Sequence, residues 1–229
     1  MGSITLYAFW NTTGLLAAFL VSRRLSFPNE NRRVSRGMFS AVLIGAILGA
    51  KLPVWFAYGF EPMFYWDGKS LFGGLLGGFF GMNFYKAAFR IPGGGFGDRF
   101  VIPLCVAVGF GKIGCFYNGC CGGRPFGEFV PPTQLYESAF QFLLAGFFLL
   151  MYRLDKGKTV WFPLYMILYM LMRFFMEFLR NEPTAWGFLT VYQILALLFL
   201  PVFGITLVRR IFRKFYSSKT ERTNGYPKQ

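Results

Sequence analysis

The chain contains no histidine, which excludes a Ser-His-Asp relay, a Cys-His pair, a histidine general base and any histidine-ligated metal site. Other ionisable groups stand where the surroundings are apolar. Arg173, Glu177 and Arg180 follow i, i+4, i+7 spacing, which predicts one shared helix face. An arginine near the centre of a membrane helix costs about 2.5 to 3.5 kcal/mol on insertion scales. Arg173 falls roughly 10 Å inside the nearer end of its span at 1.5 Å per residue, so its presence calls for a reason. Either Glu177 neutralises one arginine, or the stripe lines a polar cavity where Arg180 meets a phosphate in a bidentate fork. Gln134, Glu137 and Gln141 repeat the pattern at i, i+3, i+7, and the two polar faces are expected to meet. Lys112 stands about one turn before the end of its span, where it either snorkels to the interface or joins the same cavity. A hollow with several cations and few anions would suit an anionic headgroup.

Cysteines form the second reactive group. Three of the four lie within Cys115–Cys121, and Cys105 reads as core. Adjacent Cys120 and Cys121 do not make a zinc site by themselves, and without a second pair or a histidine no metal and no cofactor is expected. The readings that stay open are a disulfide, a structural role for small polarizable side chains, and thiolate chemistry at Cys115, Cys120 or Cys121 assisted by Lys112 or Arg124.

The elements that must position these groups follow from composition. Of the 229 residues 55% are hydrophobic and 15% charged, well below the ~25% charge of a soluble domain, so lipid is the solvent. Apolar stretches recur near Ile4–Ser22, Met38–Tyr58, Leu71–Phe89, Phe100–Tyr117, Leu135–Tyr152, Val160–Leu179 and Leu189–Val208. The expected architecture is an all-α integral membrane protein of about seven transmembrane helices, one domain over 1–216, followed by a basic, disordered cytoplasmic tail over 217–229. Most of the 24 cations fall in the first, third and fifth connections and the tail, which places the N-terminus outside and the C-terminus in the cytoplasm. The first charges, Arg23 and Arg24, come behind the first span, so that span is expected to be retained rather than cleaved. The net charge of +14 is then a topology signal with weak attraction to anionic lipid, and no nucleic-acid partner is expected. Tyr65, Trp66, Trp161 and Trp186 are expected at the interfaces. Gly45 and Gly49, and Gly73, Gly77 and Gly81 with Gly74 and Gly78 alongside, permit close helix packing. Alternatively Gly73 to Gly78 form a smooth wall against a lipid.

Four segments occur in order: Gly68-Lys69-Ser70-Leu71-Phe72-Gly73-Gly74-Leu75-Leu76-Gly77-Gly78, the run Gly111–Gly123 containing Lys112, Asn118 and the three cysteines, Pro132-Thr133-Gln134-Leu135-Tyr136-Glu137, and Arg173–Arg180. Together, over roughly Trp66 to Gln193, they resemble the bacterial prolipoprotein diacylglyceryl transferase family. The resemblance implies a multi-pass enzyme of the bacterial inner membrane with an extracytoplasmic active face. It would move a diacylglyceryl group from phosphatidylglycerol to the lipobox cysteine of a prolipoprotein, as a thiolate attacks a glycerol carbon and glycerol phosphate leaves. The phospholipid and the acceptor at the outer leaflet are the implied partners. By motif, Arg180 matches an arginine that stabilises the leaving phosphate, Lys112 takes the place of a second arginine, and Gly123 and Asn118 match loop residues. Tyr136 and Glu137 belong to the shared Pro-Thr-Gln-Leu-Tyr-Glu run. Lys112, Arg180, Glu137 and Asn118 are the expected catalytic residues, and Arg173, Gly73, Gly74, Gly123, Gln134 and Tyr136 the expected substrate-binding ones.

The sequence also departs from the family pattern. Phe72 replaces a histidine, Cys115 an asparagine and Cys120 an acidic residue, while Lys112 keeps the charge without the planar fork. Glu137 is expected as the carboxylate free to act as a base, with Glu177 held between Arg173 and Arg180. The departures keep two alternatives open: transfer to a different acceptor such as a glycan, another thiol or a lipid, and phospholipid binding without catalysis.

Overall fold

The computed structural model describes residues 2–25, 32–58, 70–91 and 95–223. Among these, the chain forms seven α-helices: α1 (Gly2–Arg24), α2 (Arg32–Tyr58), α3 (Leu71–Ala88), α4 (Asp98–Tyr117), α5 (Thr133–Arg153), α6 (Trp161–Met176) and α7 (Val191–Thr223). A 3-10 turn over Glu177–Leu179 and a small antiparallel ribbon, β1 (Thr184–Trp186) with β2 (Leu189–Thr190), link α6 to α7. Each helix lies on one of the seven expected apolar stretches, and the protein is an all-α, multi-pass membrane protein. Six of the helices are long and apolar enough to cross a bilayer. The exception, α3, has 18 residues, five of them glycine, and also carries Asn83 and Lys86, which lower its mean hydropathy.

Those glycines instead supply proximity. A Cβ at Gly77 would overlap the carbonyl oxygen of Gly45, one at Gly73 the carbonyl of Gly49, and one at Gly81 the carbonyl of Ala41. The α2 and α3 backbones therefore touch along their length, as small residues at four-residue spacing allow where lipid offers no hydrophobic drive for association. Gly77→Val is expected to lower stability by about 1 to 3 kcal/mol through forced separation of the two helices, read as a lower thermal unfolding midpoint in detergent. Gly74→Ala is expected to be nearly silent, because its Cβ would meet only ordinary contacts at 3.5 Å or more.

The core is built on α6, whose Trp161, Tyr165, Met166, Tyr169 and Met170 are buried. Phe72, at the position expected to depart from the family pattern, is 1% exposed and faces the Tyr169 ring at 6.0 Å. It fills space and carries no exchangeable proton.

Helix ends are closed by local chemistry. At one end of the bundle Asp98 accepts from the backbone N–H of Thr159 (2.6 Å) and Phe162 (3.0 Å), capping α6 from a neighbouring helix. Arg210 donates to the Thr159 carbonyl (2.6 Å) at the same end. At the other end α7 opens on a capping box: the Gln193 N–H donates to Thr190 Oγ1 (3.3 Å) and the Thr190 N–H to Gln193 Oε1 (3.1 Å). Helix α4 finishes there in a Schellman turn, with Cys120 N–H to Cys115 O (3.2 Å), Gly119 N–H to Phe116 O (3.1 Å), and Gly119 at φ +69°.

One expectation is corrected. The i, i+7 relation of Arg173 and Arg180 does not hold on a continuous helix, because α6 ends at Met176 and Arg180 is extended (φ −101°, ψ 158°). Pro183 lies just beyond and disfavours helical continuation before it. Helix α7 runs to Thr223, so helical backbone continues past residue 216. Residues 224–229, with Tyr65, Trp66, Gly68 and Lys69, lie outside the described residues.

Pairing of α2 with α3, and of α1 with α4, leaves a groove between the two pairs. Its volume is 1370 Å³, and Phe19, Phe39, Val42, Gly74, Leu75 and Phe100 are among its walls. Ser70 marks one end, and Arg36 and Arg99 the other.

Candidate active site

The α7 capping box, the end of α4 and the extended Arg180 segment meet at the Ser70 end of the groove. Glu137, on the buried face of α5 with Gln134 and Gln141, is 1% exposed and forms the centre. Lys112 Nζ of α4 lies 2.5 Å from its Oε2, while Arg173 Nη1 of α6 and Arg180 Nη1 lie 3.4 and 3.3 Å from its Oε1. Three cations from three separate elements thus converge on one carboxylate, and the expected meeting of polar faces is realised.

Each cation is nevertheless paired, and the site carries more anions than expected. Arg173 Nη2 also reaches Glu177 Oε2 (3.0 Å), and Arg180 Nη2 reaches Glu182 Oε1 (2.7 Å). Glu137 is not the free carboxylate that was expected, and Glu177 is held by Arg173 without Arg180. Glu137 is enclosed by cations, whereas Glu177 pairs with Arg173 and accepts from Thr190 Oγ1 (2.9 Å). The cause is the break after Met176, which turns Arg180 off the α6 face and toward α5.

Arg180 is held by the chain around it. Gly123 and Arg180 form a β-bridge, and the Arg124 N–H donates to the Leu179 carbonyl (2.7 Å). A Cβ at Gly123 would come within 2.7 Å of Pro131 O and 2.9 Å of Leu179 O, so glycine is what lets this strand lie beside the arginine. Arg180 Nη1 donates to the Cys121 carbonyl (3.0 Å), which also accepts from Thr133 Oγ1 (2.9 Å). Gln134 Nε2 donates to the Cys120 carbonyl (2.7 Å). Burial opposes the Arg180 charge, but the surrounding anions, Glu137 first, hold its proton affinity above the ordinary arginine value.

The other expected residues are placed as follows. Gly74 lines the groove, but Gly73 is in the α2 contact and presents no surface to it. Asn118 is exposed at the C-terminal cap of α4, where its side chain bonds the Cys120 thiol, and Tyr136 is 45% exposed on the outside of α5. Neither belongs to the ionic cluster. The Sγ atoms of Cys115, Cys120 and Cys121 lie within 4.8 Å of one another as free thiols. Hydrogen bonds from the Cys115 and Cys120 thiols, helped by the Lys112 and Arg180 charges, hold the Cys121 thiol well below the usual thiol range.

Sequence reasoning missed Glu182, Tyr58, Tyr192 and Ser70. The Tyr58 hydroxyl donates to Glu182 Oε2 (2.6 Å), tying the end of α2 to the Arg180 segment. The Arg173 guanidinium lies 4.6 Å from the Tyr192 ring centroid, and the Tyr192 hydroxyl lies beside Ser70. Ser70 also caps α3 by accepting from the Gly73 N–H (3.2 Å). This chain of contacts joins the mouth of the groove to the cationic cluster. The Thr190-x-x-Gln193 capping box was visible in the sequence; Glu182 and Tyr58 sit outside any periodic pattern and gave no such signal.

A family profile described as prolipoprotein diacylglyceryl transferase matches residues 1–209. A protein of Clostridium perfringens named phosphatidylglycerol--prolipoprotein diacylglyceryl transferase 2 is 35% identical over 161 residues, covering 62% of this chain and 61% of that protein's length. One from Clostridium tetani, named phosphatidylglycerol--prolipoprotein diacylglyceryl transferase, is 33% identical over 197 residues, covering 74% and 78%. A namesake from Dehalococcoides mccartyi is 27% identical over 221 residues, covering 82% and 85%. With a profile match over residues 1–209 and a relative 33% identical over 74% of its length, the chain belongs to the prolipoprotein diacylglyceryl transferase family.

Proposed function

We propose that this protein transfers a diacylglyceryl group from phosphatidylglycerol to the lipobox cysteine of a prolipoprotein, in the bacterial inner membrane and at its extracytoplasmic face. The observation that carries this reading is the convergence of Lys112, Arg173 and Arg180 at the end of an apolar groove. The acyl chains occupy the groove, and the phosphate sits over the cations. The acceptor thiolate attacks the glycerol carbon, the carbon–oxygen bond to phosphate breaks, and a thioether forms as glycerol phosphate leaves with the electron pair. Charge collects on the departing oxygen, where prepositioned cations act most strongly in a site shielded from water.

Glu182 gives the phosphate a way in. It is the partner of Arg180 that is not shared with another cation of the cluster, and its own segment is an irregular loop before β1. Replacement of that carboxylate by the phosphate keeps the buried arginine paired throughout. Glu137 stays in place and keeps three like charges together. Phe72 leaves the site without the protic group of the family pattern, so the acceptor proton passes to the phosphate or to water.

The test is transfer from labelled phosphatidylglycerol to a lipobox peptide by the purified protein in lipid–detergent micelles. A peptide heavier by one diacylglyceryl group, with release of one glycerol phosphate, is expected. Phospholipid bound without either product would overturn the reading.

A further inference from the structure

The notable group outside the phosphate site is the cysteine triad. The Schellman turn at Gly119 folds the chain back so that Cys120 returns over the last turn of α4, its thiol 3.7 Å from the Cys115 carbonyl. Cys121, at φ +61°, then turns its side chain to the same spot. The backbone conformation is thus fixed so that three sulfurs spread over seven residues converge, with every pair within 4.8 Å. An ion bound at about 2.3 Å to each of three sulfurs needs them about 4 Å apart. A small closure suffices.

From this geometry we propose that Cys115, Cys120 and Cys121 form a three-thiolate site for a thiophilic d10 cation, of which Zn²⁺ and Cu⁺ are the two sources. Thiolates select this class over harder ions. Each coordinating thiol releases its proton to solvent as the metal–sulfur bond forms. Three thiolates around Zn²⁺ or Cu⁺ carry net negative charge, and Lys112 and Arg180, whose charges already act on Cys121, offset it. The sulfur set is complete for trigonal Cu⁺ and leaves one position for water on Zn²⁺.

The same residues connect this site to the cationic cluster. The carbonyls of Cys120 and Cys121 accept from Gln134 and Arg180, so an ion that draws the three sulfurs together also fixes the backbone that orients Arg180. Occupancy of the triad would therefore rigidify the Arg180 segment. Binding is independent of whether the protein transfers lipid, and it is read without turnover.

The full-length protein, purified in detergent under reducing conditions and stripped with a chelator, is dialysed in separate arms against Zn²⁺ and Cu⁺. One ion per chain is expected by elemental analysis, and X-ray absorption should find three sulfur neighbours: sulfur alone in the Cu⁺ arm, and one lighter atom in addition in the Zn²⁺ arm. Cys115→Ser and Cys120→Ser, which change one atom each, should each weaken retention by at least 100-fold. Cys105→Ala, in the apolar core, should leave it unchanged. Retention of no ion by the wild-type protein would overturn the proposal. So would equal retention by the triple serine variant, or a disulfide between two of the three cysteines that persists in reductant.

Discussion

Arg180→Ala should lower kcat by about 10²- to 10³-fold with little change in KM, the loss typical of removing one preorganised donor to a developing anion. The side chain serves Glu137, Glu182 and the Cys121 carbonyl at once, so its fork is aimed before substrate arrives. Arg180→Lys keeps the charge but presents one point rather than two parallel N–H groups, and about a tenfold loss is expected. Steady-state rates over a series of phosphatidylglycerol concentrations separate the two parameters, and the unfolding midpoint serves as control. A rise in KM with unchanged kcat would show that Arg180 grips the lipid equally in the ground and transition states and would remove it from the leaving-group role.

Glu137→Gln should act first on stability. The carboxylate is 1% exposed and neutralises parts of three cations, of which Arg173 and Arg180 are buried. Its loss leaves Glu177 to Arg173 and Glu182 to Arg180 as the remaining carboxylate partners among the described residues. Breaking a buried ion pair by removing one partner typically costs about 3 to 5 kcal/mol, and for a chain of this length the midpoint should fall by roughly 10 °C. Glu137→Asp, which keeps the charge on a shorter stem, should recover most of it. If Glu137 served instead as a free base, Glu137→Gln would abolish transfer while leaving the midpoint unchanged, and the two measurements distinguish these outcomes.

The sequence revealed the helices because membrane spans are written in composition, over windows long enough for single residues not to matter. The polar face of α5 was readable for the same reason: Gln134, Glu137 and Gln141 obey helical periodicity inside a regular helix. The reading failed where regularity stops. Arg180 was placed by extending a helix past Met176, and the break there brings it to Glu137 rather than to Glu177. The three cysteines were singled out in the sequence, but their convergence was not fixed there. Cys115 is in a helix and Cys120 and Cys121 are beyond it, and their meeting depends on the left-handed Gly119 and Cys121 rather than on spacing. An Asn-Gly pair is a helix-stop signal, but a stop signal does not say which side chains the turn returns to. Glu182 and Tyr58 are 124 positions apart and joined by one hydrogen bond, a relation that no local pattern encodes.

The groove between the α1–α4 and α2–α3 pairs has a consequence for how the protein meets its substrates. Of the four helices that wall it, α1, α2 and α4 are long and apolar enough to cross a bilayer, so under the proposed function acyl chains enter sideways and stay at the depth they already occupied. Lifting them through water would cost about 0.8 kcal/mol for every methylene exposed. Encounter is thus a two-dimensional search, and the variable that sets its rate is surface density. Diluting the phospholipid with inert amphiphile should slow turnover at constant bulk molarity, whereas adding buffer to intact vesicles should leave the rate per vesicle unaltered.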